Sequence, residues 1–582
     1  MIVNFRWHQM THLMLGAAIA AASLLGFESP AQACGGFFCN NIPIEQSGEQ
    51  ILFQVDEDDI RAYIRIFYQG EAEDFAWVVP VASQPEVGVG TDIVFTRLDQ
   101  LTRPTFNLEN AFGSDQCGIW GWGMEESFAS GDSDGGGATG GDEGGPAPVT
   151  VLEQSAVGPY NYTILTATDA GALVAWLNEN DYDQPEESTP LIEHYVEQEM
   201  FFVALKLQSD KAAGDIAPLV LDFKEASPCV PLVLTQIAAT PDMPVKVWTL
   251  GNERMIPSNW LHVTVNEKKI DWFNNGANYN DLLTQAVDEG SGHAFTTEYA
   301  GSTDFMKNQV YSGQWDTVEE DFAGITSAAD YMEKLQSHFS GSQELLGLLQ
   351  EFMPAPEGVD AQNFYNWPWD YTEEYAALDF DGEAFTAALM DKIVNPTKDV
   401  QEMFDSSPYL TRLYTTVSPE EMNRDPIFEF KAGMDDVSNN HSATLYTTCD
   451  ESGAVSVMIE LENGETFVPE LPTWMLNGQE VNEPTDLSGE PSAATIELLS
   501  ATAGPRIVRP DDVEWVDAQL AMLPANAVDV PGAPVDQDLS KITNPSSGGC
   551  SALNSPLGAG MTLLFLLLGL ATLRRQARAR QE

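Results

Sequence analysis

The chain has 582 residues, with 89 acids against 26 bases and a net charge of −63. A surface this acidic repels nucleic acid and anionic lipid, so no nucleic-acid partner is expected. Hydrophobic residues make up 43% of the chain, with 13 Trp. That excludes a disordered chain and suffices for two or three globular domains with sizeable cores.

The N-terminus carries Arg6 and no acid, then an apolar stretch over residues 13–27, a polar break at Glu28-Ser29-Pro30 and the triplet Ala31-Gln32-Ala33. Small residues at the first and third triplet positions suit signal peptidase, so residues 1–33 read as a secretory signal cut after Ala33. The apolar run is short for an uncleaved membrane span. Cleavage leaves Cys34 first, which raises lipidation. Lipoprotein signals usually place Leu three residues before the Cys, where Ala31 stands, so plain cleavage is the expectation.

Residues 51–55 and 60–69 are strand-like, and Asp56-Glu57-Asp58-Asp59 between them is a hairpin tip. Ala62, Ile64, Ile66 and Tyr68 share one face and Arg61, Tyr63, Arg65 and Phe67 the other, so the sheet is expected to be covered on both sides. Residues 74–79 continue as a buried strand that stops at Pro80. Residues 91–102 form a helix, with Val94, Leu98 and Leu101 at helical spacing, Thr91 as cap and Pro104 as the stop. Residues 130–148, rich in Gly and Asp, are a charged low-complexity insertion. They lack the ligand pattern of an EF-hand loop and the nonapeptide of calcium-binding β-rolls.

Strands follow at 162–167, 201–208, 219–224, 230–238 and 245–250, with helices at 169–180, 191–198 and 279–289. Many strands succeed one another without a helix, so residues 34–303 are expected to form an α+β domain with a largely antiparallel mixed sheet. Residues 304–430 are helix-rich, with helices at 328–339 and 343–352 separated by Gly341. The aromatic cluster from Phe364 to Trp369 sits in a loop, as a sugar-stacking platform or as packing under that loop. Short strands return at 443–448 and 455–461, within a region spanning 431–469. Residues 470–549, rich in Pro, Ser, Gly and Asp, read largely as a stalk.

The C-terminus carries Gly548-Gly549-Cys550, an apolar run over 557–573, and Arg574, Arg575, Arg578 and Arg580. Seventeen residues at ~1.5 Å rise give ~25 Å, enough to cross a bilayer core. The Arg cluster stays on the cytoplasmic side and leaves the rest of the chain outside. The arrangement resembles the tripartite sorting signals of Gram-negative bacteria, most of all the Cys-containing myxobacterial type. That resemblance implies a sorting or processing protease acting near Cys550 and transfer to the cell surface; a plain transmembrane anchor over 550–582 is the alternative. Either way the membrane is a partner through the C-terminal helix.

Between the ends, removing Glu28, Glu582, Arg6 and the four C-terminal Arg from 89 acids and 26 bases leaves 87 and 21, or −66 for residues 34–549. Three readings compete: adaptation to salty water, calcium binding by carboxylate clusters, and a merely soluble surface. The acids are spread along the whole chain, which favours the first. If calcium is a cofactor, Asp56, Asp58 and Asp59 are candidate ligands. An exported address makes disulfides the expectation. Cys34 and Cys39 can bridge around Gly35-Gly36, and Cys117 with Cys229 is a possible second pair; Cys449 and Cys550 complete the set.

Cys34-Gly35-Gly36-Phe37-Phe38-Cys39 and Asp74-Phe75-Ala76-Trp77-Val78-Val79-Pro80 recur with Pro244 to Trp248, Arg254, Pro257 and Asn259. Ala294-Phe295-Thr296-Thr297-Glu298-Tyr299-Ala300 and the stretch from Leu410 to Met422 complete a pattern that resembles the domain-of-unknown-function 2330 family over about residues 34–430. The resemblance implies an exported protein and one domain over 34–300. It supplies no reaction.

No complete catalytic motif is present. His194, His262, His293, His338 and His441 are scattered, and none lies in H-E-x-x-H. Gly290-Ser291-Gly292-His293 lacks the spacing of a nucleophile elbow. Residues 254–272 with His293 and Glu298 are the place where a triad of distant segments would assemble, so His262, His293 and Glu298 are the candidate catalytic residues. No spacing demands catalysis, and satisfied core polars are the simpler reading. The sequence therefore points to a surface binding or structural module, leaning away from an enzyme, with an extracellular hydrolase as alternative. It does not say which ligand.

Overall fold

The computed structural model describes residues 45–508, apart from 70–74, 113–148, 183, 186–187, 210, 212–215, 339–343, 450–454, 473–474, 476–480 and 502–505. The expected signal peptide, low-complexity insertion and C-terminal span lie outside these residues. So do Ala33, Cys34, Cys39, Cys117 and Cys550.

The chain opens with β1 (Glu45–Asp56) and β2 (Asp59–Gln69), the expected hairpin. Asp56 pairs with Asp59, and Glu57 takes the left-handed conformation that a two-residue turn needs, at φ 55°. β3 (Ala76–Val81) is buried throughout but runs through Pro80, opposite Phe202, rather than stopping there. Proline lacks an N–H, yet β3 is an edge strand, so no ladder bond is lost on its open side. β4 (Glu86–Val89) precedes α1 (Asp92–Thr102), whose first turn is capped by Thr91 Oγ1 accepting the Ile93 N–H at 3.3 Å.

Next come β5 (Thr105–Phe112), β6 (Val149–Val157), β7 (Tyr160–Ala167), α2 (Ala170–Glu179), α3 (Thr189–Glu197), β8 (Phe201–Leu207) and β9 (Leu219–Lys224). The stretch 230–238, expected as a strand, instead contains the short helix α4 (Leu232–Thr235). A brief apolar run reads alike as strand or helix. Here the buried Asp425 carboxylate accepts the Val233 N–H at 2.8 Å and fixes the turn.

The chain continues through β10 (Met243–Gly251), β11 (Met255–Pro257), β12 (Leu261–Val265), α5 (Tyr279–Glu289) and β13 (Ala294–Ser302). A helical excursion follows: α6 (Val318–Phe322), α7 (Ala328–His338), α8 (Glu344–Phe352), α9 (Ala361–Asn366), α10 (Thr372–Ala377), α11 (Gly382–Leu389) and α12 (Asn395–Ser406). It has its own core of Phe322, Tyr331, Phe364, Tyr375 and Phe385. The chain then returns as β14 (Tyr409–Val417), antiparallel to β13, so the excursion joins two neighbouring strands. β15 (Phe428–Phe430), β16 (Asn440–Cys449), β17 (Val455–Leu461), β18 (Thr466–Phe467), β19 (Ala493–Leu498) and β20 (Arg506–Val508) complete it. The last two fall in the segment read as stalk. Ala493 and Ile496 pack with Leu283 and Val287 of α5, which draws that stretch into the sheet.

The fold is α+β with antiparallel-rich sheets. The largest runs β20-β19-β12-β13-β14-β10-β1-β2-β9-β4; parallel pairs occur at β1–β10 and β12–β13. One face packs on α1 and α12 through Leu52, Phe95, Leu98, Trp248 and Phe404. The other meets the four-stranded sheet β3-β8-β7-β6 through Ile51, Phe53, Ile64, Trp77, Val79 and Ile164. α2 and α3 cover the far side of that smaller sheet. The face of β2 carrying Ala62, Ile64 and Ile66 is covered, whereas on the other face Tyr63 is partly buried and Arg61 and Phe67 are exposed, so the expected cover on both sides is only partial. A third sheet, β18-β17-β16-β5, pairs β5 parallel to β16 and ties the two ends of the fold together.

Cys229 is a free thiol, which does not support the possible pair with Cys117, a residue outside the described ones. Cys449, which ends β16, is disulfide-bonded. Among the described residues no helix is long and apolar enough to cross a membrane; the span expected at 557–573 lies beyond them.

Candidate functional site

The three candidate catalytic residues do not form one site. Glu298 follows Thr297 at a bulge in β13 and faces Arg412 of β14. Arg412 Nε donates to Glu298 Oε2 at 2.5 Å, and its Nη2 lies 3.0 Å from Asp99 Oδ1. The guanidinium lies 5.2 Å from the centre of the Trp248 ring. Arg412 and Glu298 are 2% and 1% exposed, which makes Glu298 the counter-ion of a buried arginine. His293 closes the turn before β13; its ring nitrogens lie 2.6 Å from the Ser291 carbonyl and 3.0 Å from Asn423 Oδ1.

His262 comes nearest to a catalytic arrangement. Its Nε2 lies 2.9 Å from Thr297 Oγ1 and its Nδ1 lies 4.0 Å from Glu497 Oε2, the order of a hydroxyl–imidazole–carboxylate triad. The same Nε2 accepts the Thr297 backbone N–H at 3.1 Å, so its lone pair is occupied. Arg254 donates to the Thr297 hydroxyl at 3.1 Å. Burial, reinforced by Arg254, pushes the His262 pKa down to about 3 and keeps the ring neutral. Neither cavity described below reaches these residues. A polar core knot, not an open active site, is what the geometry forms.

The candidate calcium ligands are exposed at the β1–β2 turn. Asp59 pairs with Lys224, and the Asp58 carbonyl accepts the Glu225 N–H at 3.0 Å. Among the described residues no group of three or more His, Cys, Asp or Glu is placed to hold a metal ion. The aromatic cluster also divides. Phe364 is buried and stacks on Tyr375 at 4.2 Å, while Trp369 stands nearly perpendicular to Trp367, so the pair presents no flat platform.

The site that the sequence did not point to lies between the two large sheets. Here β1, β2, β9 and β3 meet the loop leading into α4 and line an open cavity, whose empty space is about 480 Å³ with the solvent at its mouth included. The walls are apolar: Ile51, Phe53, Ile64, Val79, Leu221 and Phe223. Three carboxyls face into it, from Glu49, Glu225 and Asp425, and the lining contains no Lys, Arg or His. An adjoining recess shares Glu49, Ile64, Val79 and Pro80 and adds Gln46.

Local structure explains why the acids point inward. The β1–β2 register shifts between Gln46 and Glu49, and this bulge turns both side chains to the inner face, where a regular strand would separate them. Gln46 Nε2 donates to Glu49 Oε2 at 3.4 Å. Asp425 Oδ1 accepts from Val233 N and from the Tyr195 hydroxyl, at 2.8 and 3.1 Å. Burial pushes Glu49, Glu225 and Asp425 each up to about 7. Cys229 lines the same cavity; burial, then the charges of Asp425 and Glu225, hold its thiol well above the usual range. A thiol so held is a poor nucleophile.

The profile of a family described as "Uncharacterized protein conserved in bacteria (DUF2330)" matches residues 29–348. The chain belongs to the DUF2330 family. No curated protein matches it, and no solved structure does. The DUF2330 span supplies most of the cavity, including Glu49, Glu225 and Cys229, whereas Asp425 comes from beyond residue 348. β14, at the middle of the large sheet, also lies beyond it, so the matched span does not close the sheet alone.

One trace of the cavity is present in the sequence. Glu49 stands two residues before Ile51 in the inward series Ile51, Phe53, Val55, an acid where an apolar residue belongs. Asp425 and Glu225 sit in irregular segments and carry no such signal.

Proposed function

We propose that this chain is an exported binding module, held at the cell envelope by its C-terminal segment, that takes a small molecule into the cavity between its two sheets. The observation that carries the reading is the cavity itself: apolar walls with three converging carboxyls and no base to neutralise them. Buried acids of this kind weaken a fold unless something compensates, and functional sites are where such groups gather. The signal-like N-terminus and the Gly-Gly-Cys, apolar and Arg-rich C-terminus support the address. The hydrolase reading has only the Thr297–His262–Glu497 order in its favour; His262 and Thr297 are buried, the His262 Nε2 lone pair is taken by the Thr297 N–H, and neither cavity reaches them.

The test is a thermal melt of the full chain against small amines, carboxylates, sugars and alcohols, repeated with Ala82→Trp. Ala82 is half-buried on the cavity lining, so the indole fills the opening without entering the sheet core. A saturable shift in Tm with one class, lost in the variant, is the expected outcome. No shift with any class, or an equal shift in the variant, would remove the cavity as a binding site.

A further inference from the structure

Resting on the reading of the cavity as a binding site, we infer that its occupant is a small organic cation, an ammonium group held by Glu49 and Asp425 with a short apolar body against Ile51, Phe53, Ile64 and Val79. Charge gives the sign. The lining holds three carboxyls and no Lys, Arg or His, so an anionic ligand finds no counter-charge and is repelled once the acids ionise.

Hydrogen bonding gives the group. Glu49 is 5% exposed and lines both the cavity and its adjoining recess. Among the described residues its side chain takes one long hydrogen bond, from Gln46 to Oε2 at 3.4 Å, and none reaches Oε1. A buried carboxylate accepts from several donors when satisfied, and an ammonium brings three donors and no acceptor. Asp425 differs, because its Oδ1 already takes Val233 N–H and the Tyr195 hydroxyl. It contributes charge more than acceptor capacity.

The walls give the body. Ile51, Phe53, Ala62, Ile64, Val79, Leu221 and Phe223 offer nothing to a hydration shell. Calcium needs six to eight oxygen ligands, and no three-ligand group is placed for a metal among the described residues. An alkyl chain of a few carbons suits the same surface.

Proton linkage follows from the burial of the acids. Glu49 faces the site from β1, Glu225 from the segment after β9, and Asp425 from the segment between β14 and β15, where it accepts from the Tyr195 hydroxyl of α3; Cys229 is also on the lining. Tyr195 and Cys229 are held well above their usual values by burial and stay neutral. Glu49, Glu225 and Asp425, each raised to about 7, keep their protons below neutrality when the cavity is empty. A bound cation favours the carboxylate, so binding releases protons and tightens as pH rises.

The experiment is isothermal titration of the full chain in detergent with n-butylammonium chloride at pH 6 and pH 8. Ionic strength is held constant with sodium chloride, and two buffers of different ionisation heat report the protons released. n-Butanol serves as the neutral isostere and calcium chloride as the metal. Butylammonium should bind saturably, at least about tenfold tighter at pH 8 than at pH 6, with proton release at pH 6. Glu49→Gln should weaken it at least about tenfold, while Glu179→Gln, an exposed acid on α2, should leave it unchanged. Butanol or calcium binding more tightly than butylammonium, or unchanged affinity in Glu49→Gln, would overturn the cation assignment and leave the cavity as a site for another class. Butylammonium binding that survives Ala82→Trp places the amine elsewhere and overturns it as well. No binding by any of the three sinks both this inference and the binding reading beneath it.

Discussion

Replacing Glu49 with Gln should stabilise the protein above neutral pH, and the size of the gain follows from burial. Glu49 moves from 4.5 to about 7 on folding, chiefly because the carboxylate loses its water. The raised value fixes the sign. Below pH ~4.5 the group is protonated in both states and costs nothing. As pH rises through the folded value, the unfolded chain ionises first, and the stability that the neutral group allowed is lost. A shift of about 2.5 units at ~1.4 kcal/mol each makes that loss on the order of 3 kcal/mol once pH exceeds 7. Gln stays neutral throughout and still offers an acceptor to Gln46. Urea unfolding of both proteins by Trp fluorescence, from pH 4 to 8, should show equal stability near pH 4 and a growing advantage for Glu49→Gln up to pH 7–8. The same variant is expected to bind amines less well, so the gain in stability separates lost binding from lost folding. A difference between the two proteins that does not change with pH would refute the reasoning, because it would mean that Glu49 is not desolvated by the fold.

Arg412→Ala should destabilise the protein by roughly 3–5 kcal/mol in urea titration, since it strands Glu298 as an unpaired charge at 1% exposure; a cost below ~1 kcal/mol would show that water reaches the pair. Arg412→Met with Glu298→Met should recover most of that loss, because both charges leave together. Non-reducing peptide mapping should find Cys34 joined to Cys39 and Cys229 free, with half-buried Cys229 reacting with iodoacetamide far more slowly in the native protein than after unfolding, because its thiol stays protonated; native labelling as fast as in the unfolded chain would contradict the raised thiol. Deleting residues 550–582 should release the protein from the membrane fraction, and undiminished retention would assign the anchor to another part of the chain.

Periodicity made local elements legible in the sequence, because a surface helix or a half-buried strand writes its own pattern. The β1–β2 hairpin, α1 with its Thr91 cap, α2 and α5 all lie where spacing placed them. The α+β class followed from the order of those elements, and the family followed from motifs that lie within or beside them. Where pattern and chain context disagreed, the context prevailed. Pro80 is tolerated because β3 has an open edge, and residues 232–235 are helical because Asp425, nearly two hundred residues on, caps them.

Composition alone set the acidic surface and the apolar ends of the chain. Tertiary structure alone decided what the acids do. His262 and His293 look chemical in the sequence, but the fold engages His262 Nε2 with Thr297 and both ring nitrogens of His293 with Ser291 and Asn423, leaving His262 Nδ1 buried without a partner. Glu49, Glu225 and Asp425 look ordinary among 89 acids, and they become unusual only when two sheets close over them. A carboxyl's chemistry is set by the water it loses and the charges it meets, and both depend on segments far apart in the chain. The sequence records which groups are present; which of them leave water together is settled only when β1, the loop into α4 and the strand pair β13–β14 with the segment after it pack into one fold.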